Sequence, residues 1–230
     1  MKDTLEKYFA LIKQYPKLFS NSGEFGEVKI ITDKKRILAE QKKIRARLKK
    51  EGHPPEWIDI GVLSEDQWFY VVRDMVEFPN GNVAGYIRWI NRKTQAGGFS
   101  VVLVCRQNGK FLLIKKFHHE DRAWSWEFPR GFGEPDLTAR QNAVKELEEE
   151  TGVKKAKLTH LSTVREGRGG LSIFLAEIDK GEKITTEIGE GITKSKWVSM
   201  SAMDTLVKQG KLQDSFSLWS YSLAKNHKSK

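Results

Sequence analysis

The sequence has a single cysteine, Cys105, so no disulfide can form within one copy of it. It has five histidines and no cluster of His with Cys, which argues against a zinc site. His118 and His119 are adjacent, and neighbours in an extended chain point to opposite faces, so they make poor joint ligands. No run of about 18 apolar residues occurs, so no membrane span is expected. The start, MKDTLEKYFALIKQYPKLF, carries charges throughout and lacks the continuous apolar stretch of a secretory signal. These absences, with Cys105 in an apolar run, suggest a cytoplasmic protein whose one thiol is buried. Disorder is excluded by composition, with 39% hydrophobic and 30% charged residues in a 230-residue chain long enough to bury a real core.

Charge is present in excess of one sign: 40 basic against 30 acidic residues gives a net charge of +10. Much of it is local. Between positions 34 and 50, nine Lys or Arg residues face only Glu40, and Ile37, Ile44 and Leu48 mark one side of a helix. Such a segment is a solvated surface or an attractor of polyanions, nucleic acid among them. No interleaved aromatics accompany it, which places the nucleic-acid reading second.

The chain is organised around WSWEFPRGFGEPDLTARQNAVKELEEETGV, residues 124–153. Asp136 or Thr138 can cap a helix start, and Gly152 suits the left-handed position that ends one. Val144 and Leu147 offer an apolar side. Glu146, Glu149 and Glu150, at i, i+3 and i+4, put three carboxylates on one face, where they repel unless a hard cation such as Mg²⁺ joins them.

This stretch resembles the Nudix box, G-x5-E-x7-R-E-U-x-E-E-x-G-U, with U aliphatic. Gly131, Glu146, Leu147, Glu149, Glu150, Gly152 and Val153 match in register. Leu137 stands where the family has Glu and Lys145 where it has Arg, a pair that braces the loop against the helix. Losing both together reads as a swapped brace. The preceding segment looks like the E-L-P-A-G lead-in of the ADP-ribose pyrophosphatase branch, through Glu127, Pro129 and Gly131. Residues 211–225, KLQDSFSLWSYSLAK, resemble the closing helix of that branch.

The resemblance implies an α+β fold, a Nudix α/β/α sandwich with a mixed central sheet. An antiparallel hairpin (66–96) precedes it, and a helical, basic extension (1–60) precedes that. The expected domains are thus 1–60 and 61–230. It implies Mg²⁺ (or Mn²⁺) held by Glu146, Glu149, Glu150 and the Arg130 carbonyl. The catalytic base is expected in a later loop, with Glu166, Glu187 and Glu190 as candidates. Substrate contacts are expected from Arg122, Glu127, Gly131 and Arg165. The implied reaction cleaves ADP-ribose or a related nucleoside diphosphate–sugar, giving AMP and a sugar phosphate, in a homodimer built through the hairpin. Two other readings stay open: removal of an RNA 5′ cap or pyrophosphate, and a non-catalytic nucleotide sensor. Trp124 and Trp126, alternating in a strand, pack a core or rim more readily than they stack on a base.

Overall fold

The computed structural model describes residues 2–186 and 191–227, and these form two compact units, 1–95 and 96–230. No helix among the described residues is long and apolar enough to cross a membrane.

In the first unit, helix α1 (Lys2–Gln14) and the basic helix α2 (Lys34–Lys50) accompany four strands: β1 (Lys29–Ile30), β2 (Gly61–Glu65), β3 (Phe69–Glu77) and β4 (Val83–Asn91). Strand β3 is central, pairing antiparallel with the other three. Asp33 caps α2 by accepting from the Arg36 N–H at 2.7 Å. Of the apolar line anticipated in α2, Ile37 and Ile44 are buried and Leu48 packs against the same core, so the cations fall on the outer faces. The polar centre of this core is Asp74, which accepts from the Tyr8 hydroxyl at 2.6 Å and from Arg88 Nε at 2.6 Å. A buried carboxylate is tolerated because it is paired and hydrogen-bonded. The antiparallel hairpin expected within 66–96 is present, with the FPNGN segment, residues 78–82, turning β3 into β4. Strand β2 and a short helix α3 (Arg92–Ala96) were not anticipated, since neither five-residue segment shows a clear period.

The second unit is a mixed sheet with helices on both faces. Its strands are β5 (Phe99–Gln107), β6 (Lys110–His118), β7 (Ala123–Glu127), β8 (Arg130–Gly131), β9 (Ala156–Glu166), β10 (Gly169–Ile178) and β11 (Ile192–Ser199). The order is β11-β6-β5-β10-β9, with β7 on β6 and β8 on β5, and β5 runs parallel to β10. Asn108 and Gly109, both at positive φ, make the tight turn between β5 and β6.

Side chains alternate across β5. Val101, Leu103 and Cys105 face helix α4 (Ala139–Thr151) through Ala143 and Leu147. Val102 and Val104 face helices α5 (Met200–Lys208) and α6 (Ser215–Asn226) through Met203, Tyr221 and Ala224. All five of these β5 residues are fully buried, as a strand covered on both faces requires. The α/β/α sandwich follows from that period of two. Two local expectations are corrected. Val144 is exposed, and Ala143 takes its place beside Leu147 on the buried side. Glu166, expected in a loop, ends a strand instead: β9 continues to Glu166 and β10 starts at Gly169, leaving a two-residue turn.

Candidate active site

The site is built where the 128–138 loop meets α4. Thr138 caps the helix reciprocally: its side chain accepts from the Gln141 N–H at 3.2 Å, while Gln141 Oε1 accepts from the Thr138 N–H at 2.9 Å. Of the two anticipated caps the structure uses Thr138. At the other end Gly152 sits at φ 70° and its N–H donates to the Glu148 carbonyl.

The loop is fastened on three sides. Strand β8 pairs with β5, and the Leu103 N–H donates to the Pro129 carbonyl at 2.8 Å. The Phe128 N–H donates to Ser217 Oγ at 2.8 Å, and Ser217 in turn donates to its helix cap Asp214. From α4, the buried Asn142 accepts from the Glu134 N–H at 3.0 Å and its amide points to the carbonyls of Phe99, Glu134 and Leu137. Lys145 stands 3.9 Å from the Glu134 carboxylate. Sequence reasoning missed Asn142, whose only signal is a polar residue next to Ala143 on the buried side of the helix.

Two of the three carboxylates of α4 turn inward. Glu146 is buried and lies against Gly131 so closely that a Cβ there would run into its carboxylate. Glu150 is fully enclosed, accepting from the Arg130 N–H at 2.9 Å and from Lys116 Nζ at 2.5 Å. Residues 146 and 150 are one turn apart and both meet the backbone of 130–131. Glu149, displaced by about 100° from Glu150 around the helix axis, is 40% exposed and 3.8 Å from Lys145.

The remaining site candidates are distributed around this centre. Glu127 is fully buried, held by His118 Nε2 at 2.5 Å and Ser125 Oγ at 3.1 Å, with Arg130 Nε 3.5 Å from its other oxygen. The Arg130 side chain reaches back toward Asp214 at 3.6 Å and lies over the Phe216 ring. Arg122, at φ 53°, bonds His119 and covers Phe117. Arg165 lies over Phe99, and Glu166 is exposed at the end of β9. Glu187 and Glu190 lie outside the described residues. Trp126 packs against the core with Lys196 Nζ 3.8 Å from its ring, and Trp124 is half exposed with its ring edge-on to Phe117. Burial, and secondarily the Lys115 charge, lower the Lys196 pKa.

Among the described residues no three His, Cys, Asp or Glu side chains gather into a ready metal cluster. The donor set nevertheless suits a hard divalent cation. Two carboxylates that meet the same stretch of backbone, 130–131, suit Mg²⁺, which is bound through one or two carboxylates.

The comparisons with known proteins agree with this geometry. The NUDIX domain family matches residues 94–218, and the chain belongs to that family. It is an enzyme of the Nudix hydrolase type, acting on nucleoside diphosphate derivatives, and Nudix hydrolases generally use divalent metal ions. It is similar to a Bacillus subtilis (strain 168) protein named "Putative 8-oxo-dGTP diphosphatase YtkD", with 31% identity over 46% of this chain and 74% of that one. A CMP-5'-(N-acetyl-N-hydroxy-3-aminopropyl)phosphonate hydrolase of Streptomyces rubellomurinus (strain ATCC 31215) is 23% identical over 67% of this chain and 75% of its own. Among solved structures, one titled as an ADP compounds hydrolase shares the fold, with a TM-score of 0.56 at 19% identity, covering 73% of this chain and 90% of that chain.

Proposed function

We propose that the chain hydrolyses the pyrophosphate of a nucleoside diphosphate–sugar, with ADP-ribose the first candidate, in a Mg²⁺-dependent reaction. The observation that carries this reading is the convergence of Glu146 and Glu150 on the backbone of 130–131. The lead-in Glu127-Phe128-Pro129, clamped by Ser217 at the start of α6, adds the feature that favours the ADP-ribose branch.

In this reading Glu146, Glu150 and the Arg130 carbonyl hold the metal, with Glu149 at the outer edge. A divalent cation held there would supply charge neutralisation for the phosphates and lower the pKa of the attacking water. The loop contributes position. Its bonds to β5, Asn142 and Ser217 fix the carboxylates before substrate arrives, so little reorganisation is left for the reaction itself. Glu127, already bonded to His118 and Ser125, orients the Arg130 segment. Arg122 and Arg165 are the guanidinium groups assigned to the phosphates. Glu166 and Glu190 remain the candidates for the base that takes the proton of the attacking water. The bond broken is one phosphorus–oxygen bond of the bridge; water adds to that phosphorus and the bridging oxygen leaves with the other phosphate. From ADP-ribose the products are AMP and ribose 5-phosphate.

The homodimer belongs to the same proposal. Ile87 and Trp89, on one face of β4, are exposed, Trp89 at 68%, and an apolar surface of that kind suits a second copy. The test is a panel of ADP-ribose, other nucleoside diphosphate–sugars and nucleoside triphosphates, incubated with Mg²⁺ and resolved by anion-exchange chromatography. AMP from ADP-ribose at the highest kcat/KM supports the reading. Preference for a triphosphate, with pyrophosphate released, would replace it.

A further inference from the structure

Glu150 is the most enclosed of the carboxylates on α4, and two donors are among the groups that meet it. One is the Arg130 N–H, which belongs to a strand paired with β5 and cannot move away. The other is the Lys116 ammonium, 2.5 Å from Oε1. Lys116 comes from β6, outside the loop–helix motif, where it pairs with Ser125 of β7 and Ile192 of β11. Its neighbour Lys115 lies over Trp124. The Lys116 side chain is 22% exposed, so its long stem has a route along which the ammonium can withdraw. A buried carboxylate without a counter-charge is strongly unfavourable, and a compact ammonium on a flexible chain is a replaceable counter-charge.

We propose that Lys116 is the resident counter-ion of the metal seat: its ammonium neutralises Glu150 in the metal-free enzyme and is displaced from it when a divalent cation binds. This rests on the assignment of Glu150 as a metal ligand made above. Lys116 is in these terms a positioning residue. It keeps the seat folded when empty, and the incoming cation must compete with it. Affinity for metal is therefore lower than two buried carboxylates alone would give, and metal binding is coupled to movement of one lysine side chain.

The experiment measures Mn²⁺ binding to the metal-free full chain by the electron paramagnetic resonance signal of free Mn²⁺. Wild type is compared with Lys116→Met, Lys116→Gln and Lys116→Arg, with melting temperatures recorded with and without Mn²⁺. Removing the charge should tighten Mn²⁺ binding about tenfold and lower the metal-free melting temperature, with a larger gain on adding Mn²⁺ than wild type shows. Lys116→Arg, which keeps a cation, should stay within about threefold of wild type. Lys116→Gln retains a donor to Glu150, so it reports the same direction should the Met variant not fold without metal. In a Glu150→Gln background the Lys116 substitutions should no longer change Mn²⁺ affinity. Mn²⁺ binding that is equal or weaker in the neutral variants overturns the proposal and leaves the metal site standing. An absence of binding in every protein overturns the metal reading and this proposal with it.

Discussion

Replacing Gly131 with Ala places a methyl group where the Glu146 carboxylate sits. Gly131 is not in the left-handed region, so the backbone itself accepts Ala. The obstacle is the far end of a flexible side chain, which can swing aside. The stability cost should therefore fall at the low end of the overpacking range, about 1 kcal/mol. The carboxylate, however, must move by an ångström or more, and a misplacement of that size costs about 100-fold in rate. Gly133→Ala is the contrast. There the new methyl meets the backbone of Phe99 at the start of β5, which has no comparable freedom. Its cost should approach about 3 kcal/mol, visible as a clear drop in the urea midpoint. The assay is kcat/KM on ADP-ribose with Mg²⁺ beside urea unfolding followed by tryptophan fluorescence. Gly131→Ala with wild-type activity, or with the same loss of stability as Gly133→Ala, would refute the placement of Glu146 over this glycine.

Three further outcomes follow from individual contacts. Thr138→Ala removes one half of the reciprocal cap on α4 and should cost about 1 kcal/mol in chemical unfolding, with Thr138→Ser close to wild type. The Asp204 pKa is lowered first by its bond from Lys225 and then by its bond from Tyr221. A depressed folded-state carboxylate contributes stability above its unfolded pKa, and that contribution is lost as pH falls through the folded one, so Asp204→Asn should flatten the acid limb of the stability profile. Cys105 is fully buried and burial raises its thiol pKa, so it should resist a thiol reagent at pH 8 and react once urea unfolds the chain.

The fold was legible because its central elements carry strong periods. The VVLVC run of β5 shows a strand covered on both faces, and Thr138 and Gly152 mark both ends of α4. Short elements were not legible: β2 and α3 are five residues each, too brief for a period, and depend on their neighbours for hydrogen bonds. The glutamates of the box could be read from spacing, but their division could not. A helix advances about 100° per residue, so whether Glu149 or Glu146 joins Glu150 on the buried side depends on where the loop crosses. Asn142 and Lys116 were invisible for a related reason. One is a polar residue whose partners are loop carbonyls, and the other sits on a different strand, 34 positions from the carboxylate it neutralises.

The measurement that tests the central claim most directly is AMP release from ADP-ribose by wild type, Glu146→Gln and Glu150→Gln, each with and without Mg²⁺, under conditions where all three melt cooperatively. The account predicts metal-dependent release by wild type and a fall of at least about 100-fold in each variant. Folded wild-type protein that leaves ADP-ribose intact with Mg²⁺ present, or variants that turn it over at the wild-type rate, would contradict it.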